Sequence, residues 1–176
     1  QAFQVIRDMY PRPWLRHEFG VSDLETDRPL RVFLCHSSGD KQIVRQLSIR
    51  LRDDRMDAWI DDEKLLPGQD WKQEISKSLR TSDAVLVCLS RSSITKAGYV
   101  QRELREALDL ADEQPDGSIY IIPLRLDPCD VPERLRRWQW VDYYEQDGYS
   151  RLRNALRLRS DQLGIGAVSS LIHERE

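Results

Sequence analysis

From Leu30 onward the chain alternates short apolar runs with segments whose apolar residues recur every three or four positions. Leu30-Arg-Val-Phe-Leu-Cys35 reads as a first strand, and Ile43, Val44, Leu47 and Leu51 then mark one face of a helix. Ala58-Trp-Ile60 gives a brief second strand. Asp70 and Gln73 have the spacing of a capping box ahead of a helix with Trp71, Ile75 and Leu79 on one side. Ala84-Val-Leu-Val-Cys-Leu89 is apolar at every position, as in a strand covered on both faces at the centre of a parallel sheet. After Ser90 to Lys96 comes a helix striped with Val100, Leu104, Ala107, Leu108 and Ala111. Ile119 to Leu124 forms a fourth strand, and Pro123 predicts its end or an edge position. A fifth strand lies near Trp140 to Tyr143, and Tyr149, Leu152, Ala155 and Leu156 line a last helix.

Strand and helix thus alternate about five times, which predicts an α/β fold with a parallel sheet and helices on both faces. Right-handed crossovers leave few topologies, and the flavodoxin-like, doubly wound, five-stranded order 2-1-3-4-5 is the expectation. The folded domain spans 29–160. Residues 1–28, broken by Pro11 and Pro13 and acidic from Glu18, read as an extension or linker, and 161–176 as a weakly patterned tail.

Composition narrows the function classes. The 176 residues are 40% hydrophobic and 32% charged, with a formal net charge of −3. That balance gives no reason to expect nucleic acid or acidic lipid as a partner. Cys35, Cys88 and Cys129 are odd in number and lack metal-type spacing, so a disulfide framework is not expected and a reducing cytoplasm is. No run approaches the ~18 apolar residues that a membrane helix needs. The chain opens at Gln1, and the expectation is a piece excised from a longer protein.

In an open α/β sheet ligands bind outside the carboxyl ends of the strands, where the strand order reverses. Here that crevice falls between strands one and three, lined by loops 35–40 and 90–98, with 61–70 nearby. These loops hold Ser37, Ser38, Asp40, Asp61, Asp62, Lys64, Ser90, Tyr99 and Glu103, a polar set suited to ribose hydroxyls and phosphates. The first loop opens onto a helix amino terminus, where free amides and the helix dipole favour an anion. Capping alone also accounts for its Ser, Gly and Asp. Glu103 lies at the edge of the apolar stripe with Tyr99 one turn before it, which faces it to the crevice; a dipole-favoured surface acid is the alternative. Within the regular domain His36 has no histidine companion, and no CxxC or HExxH pattern supports a metal site. A Ser-His-Asp hydrolase lacks its GxSxG elbow. A signal receiver needs an acidic pair after the first strand, where this chain has His36-Ser37.

Three segments in register resemble the Toll/interleukin-1 receptor (TIR) domain family, the bacterial form most closely. They are Arg31-Val-Phe-Leu-Cys-His-Ser-Ser-Gly-Asp-Lys41, Trp59-Ile-Asp-Asp-Glu-Lys-Leu-Leu-Pro-Gly68 and Tyr99-Val-Gln-Arg-Glu-Leu104. Trp140-Val-Asp-Tyr-Tyr144 is similar to the family's closing segment. The resemblance implies an enzyme that cleaves the nicotinamide–ribose bond of NAD⁺, a substrate rather than a cofactor, to give ADP-ribose or a cyclic form of it. It implies Glu103 as the catalytic residue, with Tyr99 where the family usually carries Trp, and Cys35 where it usually carries Ser. Asp61 and Lys64 match positions near ligand. His36, Ser37, Ser38 and Ser90 would contact substrate, and Tyr99 or Trp140 would stack on a ring. Leu66, Pro67 and Gly68 match a loop through which such domains meet one another in homo-oligomers. A non-catalytic TIR adaptor is the alternative within the family, and a nucleoside deoxyribosyltransferase the alternative outside it.

Overall fold

The computed structural model describes residues 28–60, 70–95 and 99–165, with every side chain among them except those of Trp71 and 99–103. Strand β1 (Arg31–Cys35) leads through a 3₁₀ turn (Ser38–Asp40) into helix α1 (Lys41–Asp53), followed by β2 (Asp57–Ile60). Helix α2 (Trp71–Thr81) precedes β3 (Ala84–Leu89), a four-residue helix α3 (Arg91–Ile94) and α4 (Tyr99–Asp112). Strand β4 (Ile121–Arg125), a second 3₁₀ turn (Glu133–Leu135), β5 (Val141–Asp142) and α5 (Gly148–Gln162) complete the fold. All pairings are parallel and the order is β2-β1-β3-β4-β5, as the hydrophobic pattern predicted.

The period-two alternation of the strands divides the core into two layers. Val32, Leu34, Ala84, Leu86 and Cys88 face Val44, Leu47 and Leu51 of α1 and Leu152 and Leu156 of α5. Phe33, Cys35, Val85, Val87 and Leu89 face Ile75 and Leu79 of α2 and Leu104 and Ala107 of α4. Every residue of β3 is buried, which fits its place between β1 and β4.

Several local features refine the sequence reading. Pro123 does not mark an edge: β4 lies inside the sheet, with Pro123 opposite Val87. The Tyr120 carbonyl and the Leu126 amide bond to β3, while the Arg125 carbonyl accepts from Tyr143 beyond β5. The alternation therefore turns Pro123 toward β5, whose pairing begins only at Leu124, and its missing N–H leaves no ladder bond unmade. The side chain of Asp70 caps α2 by accepting from the Lys72 amide at 3.0 Å. Helix α1 ends in a Schellman motif, with Met56 N–H donating to the Leu51 carbonyl and Arg55 N–H to that of Arg52. Arg55 takes the left-handed position, φ 63°, that glycine usually fills. Helix α5 ends at Gln162, slightly beyond the expected domain boundary at 160.

At the amino pole, opposite the crevice, Asp83 is fully buried. Arg28 donates to both its carboxylate oxygens at 2.5 and 2.8 Å, and the Arg31 amide donates to it at 2.8 Å. Arg159, 2% exposed, donates from Nε to the Asp83 carbonyl and from Nη2 to Gln114. Burial lowers the Arg159 pKa, and the Asp83 charge opposes that shift. Arg28, placed by sequence in the extension, is thus fastened to the domain.

Candidate functional site

Strands β1 and β3 send their chains to opposite faces of the sheet, so a crevice opens between their carboxyl ends. The structure closes its floor with a side-chain hydrogen bond. The Ser90 hydroxyl, just past β3, donates to Asp40 Oδ2, at the end of the loop after β1, over 2.8 Å. Asp40 occupies the N-cap position of α1, yet its side chain makes no cap bond there. Its own amide donates to the Ser37 carbonyl at 2.9 Å.

Ser90 is equally committed on its other side. Its hydroxyl accepts from the Ser93 amide at 3.1 Å while the Ser93 hydroxyl accepts from the Ser90 amide at 2.8 Å, a reciprocal cap on α3. Ser92 Oγ lies 3.0 Å from the same hydroxyl. Helix α3 is tied in turn to the loop after β4: the Arg91 amide donates to Asp127 and its Nε to the Pro128 carbonyl. Beneath this cluster, burial and then the Asp40 charge push the Cys88 thiol far above its ordinary pKa.

The residues expected to touch substrate fall into distinct settings. His36, Ser37 and Ser90 are 3%, 6% and 3% exposed, whereas Ser38 is open to solvent. His36 Nδ1 lies 3.4 Å from the Leu34 carbonyl. Tyr99 and Glu103 stand in the first and second turns of α4, the second helix after β3, which packs against β1, β4 and α2. One turn beyond Glu103, Glu106 accepts a hydrogen bond from Ser76 and pairs with Arg80 at 3.5 Å, fixing α4 on α2. Asp61, Lys64, Leu66, Pro67 and Gly68 lie outside the described residues.

Trp140 is placed toward the β5 edge of the sheet. It immediately precedes β5, two strand positions from β3, or about 10 Å at the usual interstrand spacing. Its ring lies 5.7 Å from the guanidinium of Arg125, which also reaches Asp142 at 2.5 Å, the Cys129 carbonyl at 2.8 Å and the Tyr144 hydroxyl at 3.2 Å. This cluster fastens the two-residue β5 to β4.

Sequence reading placed Asp40 among the crevice residues but did not see its bond to Ser90. The Ser90–Ser93 spacing was the available signal, since serine three residues before serine at a strand-to-helix junction satisfies both ends of a short helix's first turn. Nothing in the local pattern linked Asp40 to Ser90, fifty residues away. Among the described residues no cluster of three or more His, Cys, Asp or Glu could hold a metal ion. No helix among them is long and apolar enough to cross a membrane.

A doubly wound parallel sheet in the order 2-1-3-4-5 with a polar crevice at its switch point defines an α/β domain of the flavodoxin-like class. The chain belongs to the TIR domain family, whose model matches residues 32–156. It is 25% identical over 140 residues to an uncharacterized protein, y4cD, of Sinorhizobium fredii, covering 78% of this chain and 22% of that one, so it spans about a fifth of that relative. Its fold is similar to the TIR domain of the Toll-related receptor TRR-2 of Hydra magnipapillata, with a TM-score of 0.60 and 19% identity over 73% of this chain and 98% of that one. A metazoan TIR-STING receptor from C. gigas gives 0.57 and 13%, covering 80% of this chain and 43% of that one. A prokaryotic SEFIR domain gives 0.53 and 17%, covering 72% and 96%.

Proposed function

We propose that this TIR domain cleaves the nicotinamide–ribose bond of NAD⁺, with Glu103 as its catalytic carboxylate. The observation that carries the reading is the placement of Glu103 in the second turn of α4, which follows β3 by way of the short α3, β3 being a strand that borders the switch-point crevice.

The chemistry suits one acid. As the C1′–N bond breaks, its electron pair leaves with nicotinamide, the pyridinium becomes a neutral pyridine, and no general acid is required. Positive charge develops on the ribosyl ring, as in glycoside hydrolysis, and a carboxylate beside it stabilises that charge. Glu103 binds the ribose hydroxyls and supplies the anion. Water captures the cation to give ADP-ribose and a proton, or the adenine ring captures it to give a cyclic product. Tyr99 stacks on a ring of the substrate, with Asp61 and Lys64 completing the site. The active form is a cytoplasmic homo-oligomer joined through Leu66, Pro67 and Gly68.

The test is to incubate concentrated protein with NAD⁺ and identify the products by chromatography and mass, beside Glu103→Gln. Nicotinamide release that Glu103→Gln abolishes supports the reading. A protein that assembles yet releases no nicotinamide, or a fully active Glu103→Gln, refutes it. Assembly without turnover would instead favour the adaptor.

A further inference from the structure

Ser90 was expected to contact substrate, but its hydroxyl is spoken for on every side the structure shows. It donates to Asp40, accepts from Ser93 and lies against Ser92, all at 3% exposure. Asp40 gives up the cap of α1 to meet it and is 9% exposed. We infer that Asp40 and Ser90 form a staple across the switch point, acting as positioning residues that hold the two crevice loops in working register rather than as substrate contacts.

The argument rests on what the bond joins. The chains leaving β1 and β3 diverge to opposite faces, so nothing in the sheet ladder fixes the gap between their loops. The Asp40–Ser90 bond spans that gap. On one side Asp40 holds the Ser37 carbonyl through its amide, setting the turn that presents Ser38 to solvent. On the other, Ser90 starts α3, which leads on toward α4 and Glu103. Both partners are buried, so water does not compete freely for the bond, and losing either leaves a buried polar group without its mate. A buried carboxylate at this floor also disfavours a phosphate beside it. The anionic part of a substrate is therefore directed to the exposed rim at Ser38, away from Asp40.

This inference rests on the proposed NAD⁺ cleavage, and the experiment separates the two. Nicotinamide release is measured for wild type, Glu103→Gln, Asp40→Ala, Ser90→Ala, the Asp40→Ala/Ser90→Ala double variant and Asp40→Asn, with a thermal unfolding curve for each. A positioning staple lowers kcat by about ten- to a hundredfold in each alanine variant and moves KM less than about threefold. The double variant falls no further than the worse single one, because both remove the same bond. Asp40→Asn recovers at least about tenfold over Asp40→Ala, since its amide oxygen still accepts from Ser90. Folded alanine variants with wild-type kcat overturn the staple while leaving Glu103 standing. A raised KM at unchanged kcat overturns it too, by making Ser90 a substrate contact, and so does additivity in the double variant. Should an alanine variant not fold, Asp40→Asn and Ser90→Cys carry the same comparison: near-wild-type kcat in Asp40→Asn, whose amide oxygen still accepts, with a loss in Ser90→Cys, whose thiol is a weak donor, supports the staple, and equal losses without a change in stability overturn it. A silent wild type removes the proposed activity and this inference together.

Discussion

Arg28→Ala is the sharpest test of how the amino pole is held. The substitution takes two guanidinium hydrogen bonds from a carboxylate whose side chain is 0% exposed, and the arginine itself is 15% exposed. Removing one partner of a buried pair typically costs about 3–5 kcal/mol, because a charge is left desolvated and unpaired. Two features place Arg28→Ala at or below the low end. The Arg31 amide still donates to Asp83, and Arg159 remains close enough to feel its charge. A loss of about 2–3 kcal/mol follows. For a domain of roughly 140 residues, unfolding entropy of about 2.1 cal/mol/K per residue converts this to a fall in Tm of about 7–10 °C. Urea unfolding followed by tryptophan fluorescence and calorimetry measures both quantities. The double variant Arg28→Met/Asp83→Asn recovers part of the loss, since an asparagine still accepts from the Arg31 amide and no carboxylate is stranded, while Arg159 gives up the charge that offsets its burial. A change below about 1 kcal/mol in Arg28→Ala, or a double variant no better than the single one, would refute the account of a buried charge in need of its partner.

Three further outcomes follow from particular positions. At Gly148 a Cβ would collide with the Asp142 carbonyl and come within 2.9 Å of Tyr143 backbone atoms, so Gly148→Ala should cost about 2 kcal/mol or more by chemical denaturation. Arg55→Gly should stabilise by about 0.5–1 kcal/mol, because it relieves the left-handed strain at the end of α1 and loses only a flexible side chain; a neutral or destabilising result would show that Arg55 makes a compensating contact. Burial pushes the Tyr120 phenol well above its ordinary value, so its neutral form is favoured in the folded state. The stability it contributes is therefore complete below the ordinary phenol value near ~10 and is lost as pH rises beyond it. Tyr120→Phe should lower stability at neutral pH by removing the bond to the Leu79 carbonyl, and should flatten the decline that begins near that value.

The sheet was legible because its strands are apolar on a period of two or throughout, and its helices on 3.6. Alternation is not even needed where Ala84 to Leu89 is apolar at every position: that run alone located the centre of the sheet. Pro123 misled because one proline looks the same on an edge as on an inner strand facing an unpaired stretch; only the neighbour's starting point distinguishes them. The crevice followed from topology, whereas its floor did not. Asp40 and Ser90 are fifty residues apart, and a single short side chain at each end carries no periodic signal. Arg28 was hidden for a related reason. Its partner Asp83 lies 55 positions away, and an arginine before a strand reads as linker until that carboxylate is seen to be buried.

The brevity of the outer strands limits how copies of this domain can meet. Strand β5 contributes two residues and β2, among the described residues, four, and the Arg125 cluster holds β5 to its inner neighbour. Among the described residues neither rim offers a long row of open amides and carbonyls onto which a foreign strand could zip. Growth of the sheet from one molecule into the next is thereby disfavoured. As far as the described residues go, helix faces and loops are the better footing for contact between copies, since their side chains can be specific where a backbone ladder is not.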